Sequence, residues 1–153
     1  MKSIVCIILI LSVTLNLALS QTVGASMNLD AAGVAIDKYD PVSYFTDHKP
    51  LQGKEEYRAT YGGATYYFSS ARNLETFRGN PGKYIPQYGG WCAYAMGASG
   101  EKVEIDPETF KILDGKLYLF YNRFFNNTLN SWNKDEANLK VKADKNWAKL
   151  TKQ

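Results

Sequence analysis

The stretch Tyr57-Arg58-Ala59-Thr60-Tyr61-Gly62-Gly63-Ala64-Thr65-Tyr66-Tyr67-Phe68-Ser69-Ser70 decides the fold class. Two runs rich in aromatic and β-branched residues, Tyr57 to Tyr61 and Ala64 to Phe68, flank a Gly-Gly pair. Such a pair takes the positive φ angles of a two-residue hairpin turn without steric cost. Ser69-Ser70 follows at once and supplies an N-cap for a helix ending near Gly79. On that helix Ala71, Leu74, Phe77 and Arg78 recur at helical spacing, with Arg72 and Glu75 outward. Asn80-Pro81-Gly82 stops it, and Lys83 to Pro86 reads as a tether with two large anchors, Tyr84 and Ile85.

Outward from this unit, a second hairpin is expected at Phe110–Leu113 and Leu117–Tyr121 around Asp114-Gly115, with one face buried. Between the hairpins Tyr88-Gly89-Gly90 is a turn, Trp91 to Met96 an uncharged run, and Gly97 to Lys102 a loop. The C-terminal third has helix character over Phe124–Trp132 and Leu139–Leu150, with Val141, Ala143, Trp147 and Leu150 facing a core. Upstream, Val34-Ala35-Ile36 is a strand candidate, and Asp40-Pro41 opens a helical turn in which Asp40 is the N-cap. Two hairpins and several short helices, with no internal repeat, make a small α+β domain.

The N-terminus bounds compartment. Met1-Lys2-Ser3, the apolar run Ile4 to Leu19 and the small residues of Ala18-Leu19-Ser20 form the pattern of a removed secretory signal over residues 1–20. A leader over 21–32 and one domain over 33–150 follow, in a periplasmic or secreted protein without a stable membrane anchor. About 130 mature residues suffice for one core. Hydrophobic residues make up 45% and charged residues 22%, ordinary globular usage. A net charge of +3, with no basic stripe, is too weak to argue for nucleic acid, and no nucleic-acid partner is expected.

Removing Cys6 with the signal leaves Cys92 as the lone cysteine, in a compartment where thiols tend to be paired or oxidised. Gly89-Gly90 permit close approach of the backbone, and a helix beginning there places Cys92 at its positive end, where a thiolate is favoured. Cys92 is therefore the candidate nucleophile or metal ligand, with Trp91, Tyr94 and Tyr44 as pocket walls. The competing reading is a buried cysteine filling space between rings. His48, the only histidine, sits in a polar loop, where a surface role competes with one as base or ligand. Cys92, His48 and Asp40 are the candidate ligands for copper or another soft metal ion, without the spacing of a usual metal motif. Asp37 and Asp40 flank Tyr39, but capping outweighs acid–base work for Asp40. No nucleophile elbow, phosphate loop or dinucleotide fingerprint is present. Asn126-Asn127-Thr128 matches the glycosylation sequon, which matters only in a eukaryotic secretory route.

Tyr61-Gly62-Gly63-Ala64-Thr65-Tyr66-Tyr67-Phe68-Ser69-Ser70, then Phe77, Asn80-Pro81 and Lys83-Tyr84, resembles the YHS domain, a hairpin-plus-helix module of heavy-metal ATPases and other metal-handling proteins. With Tyr39 to Phe45, Gln87 to Tyr94, Asp114 to Leu119 and Ala143 to Trp147, the chain resembles exported, stand-alone bacterial YHS proteins, a group with selenoprotein members. The resemblance implies a selenocysteine in the Gly-Gly-aromatic segment of such members, where this chain has Cys92. It also implies cysteines at the end of the second strand and in the first helical turn of metal-linked modules. Here those places hold Ser69, Ser70 and Asn73, poor soft-metal ligands, and the hairpin lacks the histidine of the domain's name. Two readings follow: a metal-binding or thiol-redox module centred on Cys92, or a non-catalytic module binding a small ligand or protein, in which Cys92 packs.

Overall fold

The computed structural model describes residues 26–152, so the expected signal segment 1–20 lies outside the described residues. The described chain is α+β, with three two-stranded antiparallel sheets and several short helices. The first hairpin pairs β1 (Lys54–Tyr61) with β2 (Ala64–Phe68) around Gly62 and Gly63, at φ 59° and 85°. Both angles are positive, as a type I′ turn requires. An irregularity between Lys54 and Arg58 lets β1 begin three residues before the expected Tyr57. Ala64, Tyr66 and Phe68 alternate inward, and the Tyr66 and Phe68 rings meet Phe77 of α2 (Ala71–Gly79) at 5.2 and 4.9 Å. Ser70 caps α2 as expected, its hydroxyl accepting from the Asn73 amide at 3.1 Å.

Before this unit lies α1 (Ser43–Thr46). Val34 to Ile36 does not form the expected strand: Val34 and Ala35 make isolated bridges to Thr65 and Leu29, and the chain then turns through Ile36–Lys38 at positive φ. After α2, Asn80 ends one helix and Pro81 opens another, α3 (Pro81–Tyr84), rather than a bare tether. A turn at Gln87–Gly90 leads into α4 (Ala93–Ala98), with Cys92 in the capping position.

The second hairpin joins β3 (Asp106–Leu113) to β4 (Lys116–Phe120) through Asp114 and Gly115, at φ 51° and 71°. One buried face was expected, but β4 is buried on both. Leu117 and Leu119 enter the core beneath the first hairpin, while Tyr118 and Phe120 enter a second core with Trp132 and Leu139. The reason is position, since β4 lies between the hairpin–α2 unit and the C-terminal helices.

A third hairpin corrects the expected helix at Phe124. β5 (Asn122–Arg123) pairs with β6 (Asn126–Asn127), and Phe124 and Phe125 form the tip at φ 52° and 63°. The helix waits for its cap: Asn127 Oδ1 accepts from the Leu129 amide at 3.0 Å, so α5 spans Thr128–Lys134. α6 (Glu136–Leu150) follows, burying Leu139 and Ala143. Val141, expected inward, is 68% exposed, because two residues past Leu139 the helix has turned to its opposite side. Among the described residues no helix is long and apolar enough to cross a membrane.

Candidate functional site

Cys92 is fully buried. Its Sγ accepts from the Tyr121 amide at 3.3 Å and lies 3.4 Å from Thr128 Oγ1. Thr128 Oγ1 also donates to Tyr121 O at 2.9 Å. The sulfur thus sits in a closed circuit tying the start of α4 to the end of β4 and to α5. Chemically this is a packed sulfur rather than an open nucleophile.

Asp40 is also fully buried, and its carboxylate is engaged on both oxygens. Oδ1 accepts from the Val42 amide at 2.8 Å and the Ser43 amide at 3.4 Å, closing the turn that leads into α1, whose N-cap position is Val42 and not the expected Asp40. Oδ2 accepts from the Ser69 amide, the Ser69 hydroxyl and the Asn73 side-chain amide at 2.8, 2.7 and 2.7 Å. Asp37 is exposed, so the two acids do not converge. His48 lies on an exposed loop at φ 52°. Among the described residues no three His, Cys, Asp or Glu side chains group as a metal ion needs, and Cys92, His48 and Asp40 are not brought together.

The three expected pocket residues serve in packing and local hydrogen bonds. Tyr44 is fully buried, donates to Pro107 O at 2.7 Å and packs edge-on against Phe110, and burial pushes its phenol pKa up. Trp91 donates from Nε1 to Ser26 O at 2.8 Å. Tyr94 is half-buried against both cores. None of the three borders the cleft described next.

That cleft, of about 840 Å³, opens between the tip of the first hairpin, the Ile85–Gly89 segment and the last turns of α6. Met27, Tyr61, Tyr66, Tyr88, Trp147 and Leu150 give it a mostly apolar, ring-rich wall. Gly89 makes the close approach possible: at φ 61°, a Cβ there would stand 2.7 Å from the Trp147 ring. Tyr88 donates to Asp144 Oδ1 at 2.8 Å, and burial together with that carboxylate raises its phenol pKa. Tyr66 is 1% exposed, and its hydroxyl is the buried side-chain polar atom without a hydrogen-bond partner among the described residues. Burial raises its pKa too, so the phenol stays protonated.

Residues 42–88 are a YHS domain. No match was found among curated proteins, and none among solved structures. The YHS domain supplies Tyr61, Tyr66 and Tyr88 to the cleft, while Trp147 and Leu150 come from α6 beyond it, and Cys92 also lies outside. Ser69 and Asn73, at the places where the resemblance implies cysteines, point their hydrogens at Asp40. A hydroxyl and an amide committed to a carboxylate do not fit a soft metal.

The cleft residues had only faint signals in the sequence. Tyr66 falls on the inward face of a strand, where a phenol needs a partner, and Trp147 shares the helical face of Leu139 and Ala143.

Proposed function

We propose that this protein is a non-catalytic binding module whose YHS domain and C-terminal helix α6 together hold a small, largely apolar ligand, with Cys92 as a structural residue. The module spans residues 33–150, behind a removed export signal at 1–20 and a leader at 21–32, and works in the periplasm or outside the cell. The observation that carries the reading is the ring-lined cleft of about 840 Å³, a size and lining that suit a small molecule. Against the thiol-centred alternative weighs the full burial of Cys92 and the engagement of its sulfur with Tyr121 and Thr128.

The test uses 8-anilinonaphthalene-1-sulfonate, an aromatic dye whose emission rises in apolar sites. The folded protein should bind it with one-to-one stoichiometry. Ala148→Trp, at an exposed α6 position on the cleft wall, should weaken binding about tenfold or more while far-UV circular dichroism is retained. Cys92→Ser should leave binding unchanged, and native Cys92 should resist iodoacetamide until the protein is unfolded. Dye binding indifferent to Ala148→Trp, or rapid alkylation of the folded protein, would overturn the reading.

A further inference from the structure

We infer that the cleft selects a ligand carrying a neutral hydrogen-bond acceptor, a carbonyl or ether oxygen on an aromatic body, and that the Tyr66 hydroxyl is the donor that recognises it. The inference rests on the cleft reading above and deepens it. Two other buried phenols are matched: Tyr44 donates to Pro107 O at 2.7 Å and Tyr88 to Asp144 Oδ1 at 2.8 Å. Tyr66 alone presents a buried side-chain polar atom without a partner among the described residues, and Tyr66 is one of the residues that line the cleft. A buried donor left unmatched is costly, and a phenylalanine would fill the same space without that cost. A hydroxyl held at this place is explained by a partner oxygen that arrives with a ligand.

The chemistry of that oxygen follows from the surroundings. A phenol donates more strongly than it accepts, and burial keeps Tyr66 protonated, so the complementary group is an acceptor. Beside Tyr66 stand rings, Phe77 at 5.2 Å and Tyr61, which offer no countercharge to a carboxylate, while the charged residues of the cleft wall, Asp144 and the exposed Lys152, belong to α6 and the turn after it. A neutral oxygen needs no countercharge. The hydroxyl itself is shielded from solvent, and Tyr61, 40% exposed at the hairpin tip, is the adjacent side chain able to swing aside. Rotamer changes of partly exposed side chains are fast and local, so this route requires no rearrangement of the fold.

Benzophenone and diphenylmethane differ at a single position, a carbonyl against a methylene, and serve as the probes. Each is titrated into full-length protein against bound 8-anilinonaphthalene-1-sulfonate. Wild-type protein should hold benzophenone about tenfold more tightly than diphenylmethane, the span of one neutral hydrogen bond. Tyr66→Phe should bring benzophenone down to the diphenylmethane level and leave diphenylmethane within about twofold. Equal affinities in the wild type, or a preference that survives Tyr66→Phe, would overturn the inference while leaving the cleft intact. If neither compound displaces the dye, the cleft reading falls and this inference with it. Should Tyr66→Phe fail to fold, the wild-type comparison decides alone.

Discussion

The carboxylate of Asp40 accepts the side-chain amide of Asn73 at 2.7 Å, joining the turn before α1 to the first turn of α2 across 33 residues. The same oxygen takes both the amide and the hydroxyl of Ser69, so one buried acid gathers the end of β2 and the start of α2.

Removing that acid leaves several buried donors without an acceptor. Asp40→Ala is therefore expected to destabilise the fold by about 3 kcal/mol or more, read as a fall in the urea midpoint at unchanged slope. A loss under about 1 kcal/mol would show that the donors find other partners.

At Gly89 backbone conformation and packing make the same demand. Gly89→Ala places a methyl group at φ 61° and 2.7 Å from the Trp147 ring. The cost should reach about 1–3 kcal/mol, and α6 should shift where it walls the cleft. Thermal melts report the first effect and altered dye affinity the second; a neutral substitution would sink the argument.

Alkali should unfold the protein for a specific reason. Burial raises the phenol pKa values of Tyr44, Tyr66, Tyr88 and Tyr118 above the ordinary 10.0, that of Tyr118 to about 12. Below pH 10 these phenols are protonated in both states, and the stability they contribute is fully present. Above it the unfolded chain loses protons that the folded chain keeps, so stability falls as pH rises from 10 through 12. Absorbance at 295 nm should show these tyrosines ionising late and together with loss of the fold. Early, independent titration of all of them would contradict it.

The tip of the third hairpin invites a stabilising change. Phe124 and Phe125 occupy left-handed positions, and both rings are exposed, Phe124 by 88%. Asn and Gly take those angles readily, so replacing the pair by Asn-Gly should raise stability by about 1 kcal/mol or more. A lower melting temperature in the double variant would mean that the rings make contacts that matter.

The reach of the sequence can be judged from the same residues. Gly62-Gly63 and Asp114-Gly115 announced their hairpins because turn chemistry is local, and Ser70 announced α2 because capping is local. Phe124-Phe125 carries no turn signal, so the third hairpin was hidden; its strands are held by Asn122–Asn127 and Arg123–Asn126 pairing that periodicity does not encode. The local turn that Asp40 closes through Oδ1 was legible, whereas the reach of Oδ2 to Ser69 and Asn73 depends on the hairpin folding back. The candidate site was read at Cys92, the rarest side chain. The cleft is instead built from common aromatics, Tyr66 and Trp147, that lie 81 positions apart and meet only in the folded chain.

β4 sends Leu117 and Leu119 one way and Tyr118 and Phe120 the other. Neither core can melt while the other stays whole, because each would strip the opposite face of the shared strand. The molecule should accordingly lose its order in a single step, with the amides of β4 yielding to deuterium only when the entire chain opens.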